Sequence, residues 1–188
     1  MNNTIPLLLI LLSAAASWAD ISPDIRRLEQ ARLLFYASIQ DKKKIEPAIA
    51  AFEKIIRTHP EWEGRAQTYV GALMALKGKH SFFPHDKWRW ANHGLKIMDE
   101  GIAKNPNDVE ALFIHSSTCY FLPFFFKRGE DAQNKFRQIL QLLPEKQFDL
   151  DRQLLKNVLQ FIVERAHLSP DERAALESIK SAIELGTS

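Results

Sequence analysis

His115 and Cys119 lie four residues apart. That spacing sets two side chains on one face of a helix, and an imidazole beside a thiol is the pair from which a cysteine nucleophile is built. Such a pair acts only when a third group orients the imidazole, and the neighbouring sequence supplies none. Cys119 also falls late in its helix, where the negative end of the backbone dipole disfavours a thiolate. The pair reads as a buried, inert thiol beside a histidine; a carboxylate brought to it by the fold would put thiol chemistry first. His80, His85, Asp86 and His93 are metal-ligand types within a 14-residue window, yet none forms the i, i+4 histidine pair of a helical zinc site. Catalytic residues, metal and cofactor are therefore all read as none.

Binding chemistry has more material. Between residues 77 and 90, Phe82, Phe83, Trp88 and Trp90 alternate with Lys77, Lys79, His80, His85, Lys87 and Arg89. Between residues 120 and 128, Tyr120, Phe121, Phe124, Phe125 and Phe126 precede Lys127 and Arg128. Aromatic faces beside cations suit an apolar anion, an acidic peptide or a membrane interface. The same rings could instead pack on one another and seal an edge of the molecule. Phe82, Phe83, Trp88, Arg89, Phe124, Lys127 and Arg128 are the candidate contacts of this kind.

The elements that must hold these side chains announce themselves by a recurring spacing. Ala48, Phe52, Ile55 and Pro60 return as Gly94, Met98, Gly101 and Pro106, and again as Ala132, Phe136, Ile139 and Pro144. Offsets of four and three form one helical stripe, in which a small residue admits a neighbouring helix and a large one fills the space above it. Proline, lacking an amide hydrogen, is expected to end each helix. The two middle glycines cost that helix roughly 1 kcal/mol each against alanine. Pro60 to Pro106 is 46 residues and Pro106 to Pro144 is 38.

This pattern resembles the second helix of the tetratricopeptide repeat (TPR), whose period is about 34 residues. The excess length, roughly 12 and 4 residues on that period, is expected in the turn inside each pair, where both aromatic stretches fall. Stacked pairs should then bring the two stretches to one edge. The resemblance covers about residues 25–145 and implies an all-α fold, a TPR-like right-handed α-solenoid of three helix pairs with a C-terminal helical cap. It also implies a concave groove lined by the first helices, which places Gln67, Gly71 and Met74 in the second pair and Phe113, Ser117 and Tyr120 in the third. Gly71 would serve either close backbone approach by a ligand or helix–helix packing. The Lys and Asn positions of the family's carboxylate clamp have no counterpart here.

Chain-wide features bound the function. Residues 1–19 carry an apolar run ending in Ser17-Trp18-Ala19 and read as a cleaved signal peptide, too short to span a bilayer. That leaves 20–145 as repeats and 146–188 as capping helices, with no transmembrane segment in the mature chain. Lys and Arg number 25 against 23 Asp and Glu, a balance that argues against nucleic acid. One cysteine in 188 residues permits no intrachain disulfide. Helix starts are expected at Ser22-Pro23, at Asp86, at Asn107 with Glu110, and at Ser169 with Glu172. The expected protein is a non-catalytic, exported scaffold or adaptor that binds a partner protein or peptide in the cell envelope, periplasmic where an outer membrane exists. The alternative is a periplasmic binder of a small lipid-like or aromatic anion held among the aromatic stretches.

Overall fold

The computed structural model describes residues 22–146 and 150–185, and every regular element among them is helical. The expected leader at 1–19 lies outside the described residues. Eight α-helices follow in order: α1 (Pro23–Ser38), α2 (Ile45–Thr58), α3 (Glu63–His80), α4 (Pro84–Lys104), α5 (Val109–Phe121), α6 (Gly129–Lys146), α7 (Arg152–Arg165) and α8 (Pro170–Leu185). Short 3-10 turns occupy Lys42–Lys44, Pro60–Trp62 and Phe124–Phe126.

Side-chain caps set the starts of α1, α5, α7 and α8. Ser22 Oγ accepts the Ile25 amide at 3.3 Å with Pro23 at the first helical position. Ser169 and Glu172 form a reciprocal capping box: the Ser169 amide donates to Glu172 Oε2 at 2.7 Å and the Glu172 amide to Ser169 Oγ at 3.2 Å. Three expectations shift. Asp108, not Asn107, caps α5 by accepting the Ala111 amide at 2.9 Å, which frees Glu110 to turn inward. Helix α4 begins two residues before Asp86, with Pro84 opening it. Pro144 lies inside α6, which runs on to Lys146, instead of ending it at once; the helix closes within its next residues, since proline offers no amide to the preceding turn.

The surplus length of the middle pair is helix, not loop. α3 runs to His80 and α4 starts at Pro84, so only residues 81–83 turn the chain. The long connection is the one between α5 and α6, where Lys127 takes the left-handed conformation (φ 55°, ψ 35°) to close the 3-10 turn.

All three repeated stripes are buried: Ala48, Phe52 and Ile55 on α2, Gly94, Met98 and Gly101 on α4, Ala132, Phe136 and Ile139 on α6. The α3–α4 contact is the closest in the molecule. Gly64, Gly71 and Gly78 recur every seven residues on α3 and face Gly101, Gly94 and Lys87 on α4. A Cβ on Gly71 would stand 2.6 Å from the Gly94 carbonyl oxygen and the Met98 amide, and one on Gly64 would stand 2.7 Å from the Gly101 carbonyl. The backbones therefore touch along the hairpin, and the propensity cost of the glycines is the condition of that contact.

A buried ionic network joins the odd-numbered helices. The Glu110 carboxylate on α5 is fully buried and receives Arg32 of α1 through two hydrogen bonds, 2.6 Å from Nε and 2.5 Å from Nη2. It also accepts the Tyr69 hydroxyl of α3 at 2.7 Å and lies 3.2 Å from Arg65 Nη1. Arg65 donates to the α5 cap Asp108 at 2.9 Å, and Arg32 reaches the α7 cap Asp151 at 3.4 Å. Burial, then the Glu110 charge, raises the Tyr69 phenol well above its ordinary range.

Two substitutions test these contacts. Gly71→Ala is expected to lower stability by about 1–3 kcal/mol in urea unfolding despite alanine's better helix propensity. Gly129→Ala, where an added Cβ meets nothing within 4 Å, is expected to be neutral or slightly stabilising; equal effects would refute the backbone contact. Glu110→Ala leaves two arginines without their buried partner and should cost about 3–5 kcal/mol.

Candidate functional site

The positions of the expected groove are largely taken up by the protein itself. Gly71 is buried in the α3–α4 contact just described, where it packs against the backbone of Gly94 and Met98. Phe113 is buried edge-on against Phe161 of α7, ring centroids 5.6 Å apart. Half-buried Tyr120 packs on the same ring at 5.8 Å. Ser117 is half-buried and bonds its own helix at Ile114 O, 3.2 Å. Gln67 turns to Glu100 of α4 at 3.2 Å, and Met74 lies partly buried against the core.

The aromatic stretches behave differently: most of their rings face solvent. Phe82 is 88% exposed, Trp88 59%, Phe121 69% and Phe124 92%; Phe83 and Phe125 are more than half exposed. Trp90, Tyr120 and Phe126 are the exceptions; Trp90 is half-buried with Lys77 Nζ 5.0 Å and Arg89 5.4 Å from its ring centre. Within each stretch the rings meet edge to face, Phe82 with Phe83 at 5.3 Å and Phe124 with Phe125 at 5.9 Å. Among the described residues no ring pair joins one stretch to the other. They form two patches, one at the α3–α4 turn and one at the α5–α6 connection. Arg89 is exposed beside Asp86 at 2.8 Å, and Lys127 is exposed at the left-handed position.

Arg128 is the member of these stretches with the most partners, and it leads to the thiol. His115 and Cys119 face each other on α5, Sγ to Nδ1 3.5 Å. His115 Nε2 lies 2.7 Å from Asp99 Oδ1 of α4. Arg128 also bonds Asp99 and lies 3.1 Å from Asp131 Oδ2, while Lys135 pairs with Asp131. A carboxylate therefore does meet the pair, through long-range packing that local spacing could not reveal. Two donors converge on Asp99, so its carboxyl stays below the usual range although burial opposes this. Burial lowers the His115 pKa and keeps the ring neutral. Nε2 faces both Asp99 and, at 3.1 Å, Arg128 Nη2, while Nδ1 faces the thiol; a ring proton on Nε2 toward Asp99 would leave Nδ1 to accept the thiol hydrogen.

The order thiol, imidazole, carboxylate is that of a cysteine nucleophile with its base and orienting group. The energetics run the other way. Cys119 is 1% exposed, and burial pushes its thiol up to about 11 even with Arg128 nearby. His115 Nδ1 lies 3.5 Å from that neutral thiol, and although Cys119 is among the residues lining a neighbouring cleft, it is almost wholly covered. His115, Cys119 and Asp131 also bring one ligand atom each within 4.8 Å of one another. Both neighbouring carboxylates are already neutralised, Asp99 by Arg128 and Asp131 by Arg128 and Lys135, so a metal would have to displace two cations. The histidines near residue 85 go elsewhere: His80 lies 3.4 Å from Ser38 O, and His85 stacks on Phe83.

Beside this cluster a cleft of about 670 Å³ opens between the α5–α6 connection and the α7–α8 junction. Tyr120, Leu122, Phe124, Gln133, Arg137 and His167 are among its lining residues. Gln133 fixes the far wall, accepting the His167 amide at 2.7 Å and donating to Arg165 O at 3.3 Å. Gln133, Arg137 and His167 carried no signal in the sequence, because the bonds that assemble them span 32 to 35 residues. No family model, no curated protein and no solved structure matches this chain.

The thiol geometry yields a pH profile. With its pKa near 11, the native thiol should be alkylated by iodoacetamide slowly at pH 8, roughly a hundredfold below the unfolded chain, with the rate still rising at pH 10. A plateau near neutrality would mean an activated thiolate.

Proposed function

We propose that the chain is a non-catalytic, TPR-like helical scaffold: a right-handed solenoid of three helix pairs, α1–α2, α3–α4 and α5–α6, capped by α7 and α8. It is exported to the cell envelope and binds a partner protein or peptide. The contact lies at the cleft beside the α5–α6 connection, since the groove between the first helices is filled by Glu110, its arginines and Phe113. The observation that carries this reading is the rim: Phe124, 92% exposed, lines a solvent-open cleft together with Gln133, Asn134 and Arg137, and Phe121, 69% exposed, precedes it with its ring edge-on to Tyr120 and Phe161. Large apolar rings left in water beside fixed polar groups favour an apolar side chain of a partner entering the cleft while its backbone meets the polar wall. The cleft's openness and mixed lining favour a peptide over the enclosed apolar pocket that a small-ligand carrier needs.

A second reading rests on the Cys119–His115–Asp99 alignment, which would become a thiol site if the α5–α6 connection moved aside. The alkylation profile described above separates it from the scaffold reading.

The test places a photo-crosslinking amino acid at Phe124 in the full chain within cells, beside Phe121→Ala/Phe124→Ala. Both side chains are exposed, so the double variant should keep its circular dichroism and melting temperature. It should weaken the cross-linked partner's binding by about tenfold to a hundredfold, as expected for loss of one or two central aromatics. A folded variant binding that partner at full affinity would remove the cleft from the function.

A further inference from the structure

The other aromatic patch sits in a different electrostatic setting. At the α3–α4 turn, Phe82 and Phe83 occupy the apex of residues 81–83, and Trp88 follows within the second turn of α4. The end of α3 is tied to the connection leading into α2: Lys79 Nζ donates to Ile39 O at 3.2 Å, and Lys77 pairs with Glu46 at 2.7 Å. Residues 41–46 and 77–89 therefore form one pole of the molecule. Lys42, Lys43, Lys44, Lys77, Lys79, Lys87 and Arg89 stand there against Asp41, Glu46 and Asp86, seven cations to three carboxylates, a net charge of +4. The whole chain carries +2, so the remainder is net negative and the positive charge is concentrated where the rings protrude. Between the two segments lies a concavity of about 390 Å³ lined by Lys42, Lys43, Ile45, Glu46, Lys77 and His80.

We infer that this pole docks on the surface of an anionic phospholipid bilayer. Phe82, Phe83 and Trp88 would enter the interfacial layer, and a headgroup phosphate would rest in the concavity between Lys42, Lys43, Lys77 and His80. Rings on the convex apex of a tight turn, beside cations, match a deformable interface; protein hot spots instead seat their aromatics in well-packed, desolvated pockets near the centre of a contact. Lysine and arginine near an anionic leaflet add attraction that salt weakens. No described helix is long and apolar enough to cross a membrane, so the contact is one of surface and not of span. This docking is separate from the partner cleft and leaves that cleft's rim at the α5–α6 connection.

The test uses the full chain carrying a polarity-sensitive fluorophore at Phe82→Cys or, as a control at the opposite end of α2, at Arg57→Cys. The expected result is a blue shift at position 82, with quenching by brominated lipid, on vesicles containing phosphatidylglycerol. Pure phosphatidylcholine should leave it unchanged, and position 57 should stay in water throughout, which separates docking of this pole from tethering by any other part of the chain. Lys42→Gln/Lys43→Gln should raise the lipid concentration at half-signal by about tenfold or more. A label at 82 that stays in water on anionic vesicles, an equal response at 57, or a lysine pair without effect would each overturn the inference. Inorganic phosphate shifting the Lys77 and His80 resonances while anionic vesicles leave the label in water would reassign the concavity to a soluble anion.

Discussion

One buried carboxylate holds the odd-numbered helices together. Glu110 has no solvent of its own and would be costly to bury alone, since an unpaired ion in a low-dielectric interior loses hydration it cannot replace. Arg32, Arg65 and Tyr69 replace that hydration, and each comes from a different place in the chain: α1 and two positions on α3. The same arginines continue outward to Asp108 and Asp151, which cap α5 and α7. The starts of α5 and α7 are thus tied to the charge balance at Glu110. An apolar core of alanine and leucine stripes tolerates small rotations of one helix against another; a forked guanidinium on a carboxylate does not. The network adds orientation to a fold that hydrophobic burial alone would leave looser.

What the sequence made legible was whatever depends on near neighbours. The Ser22-Pro23 start and the Ser169–Glu172 box act over three residues, and the stripes on α2, α4 and α6 over seven, so spacing alone located them. The all-helical character followed from the same periodicity. Glu110 was misread as the second half of a cap because Asn107 stands three residues before it, while Asp108, one place on, has the better cap and a buried arginine to share. No local rule could weigh that, because the deciding partner, Arg32, is 78 residues away. The seven-residue recurrence of Gly64, Gly71 and Gly78 was in plain view but unread: Gly71 alone was weighed, and the loss of helix propensity was assigned to Gly94 and Gly101 on the facing helix. Exposure of the aromatic stretches was equally out of reach, since a phenylalanine at a turn has the same neighbours whether its ring points in or out.

The thiol cluster shows how far proximity is from reactivity. Its geometry has the donor order of a nucleophilic site, but every partner stabilises the uncharged form or belongs to another ion pair. Arg128, the one cation that could favour a thiolate, is committed to Asp99 and Asp131. The result is a polar knot closing the gap between α4, α5 and the start of α6, where the long connection would otherwise leave Asp99 and His115 unmatched.

The glycine contacts of α3 and α4 also decide how the molecule can respond to a load. Two helices whose backbones touch at successive levels have no side-chain layer between them to deform, so the hairpin can tilt but cannot telescope. With 18 residues in α3, it behaves as a stiff lever about 27 Å long. Its tip is the Phe82–Phe83 apex, and its foot holds Arg65 beside Asp108 and Glu110. A push at the tip is therefore passed to the ionic network, and from there to the caps of α5 and α7, the helices whose far ends lead to the cleft.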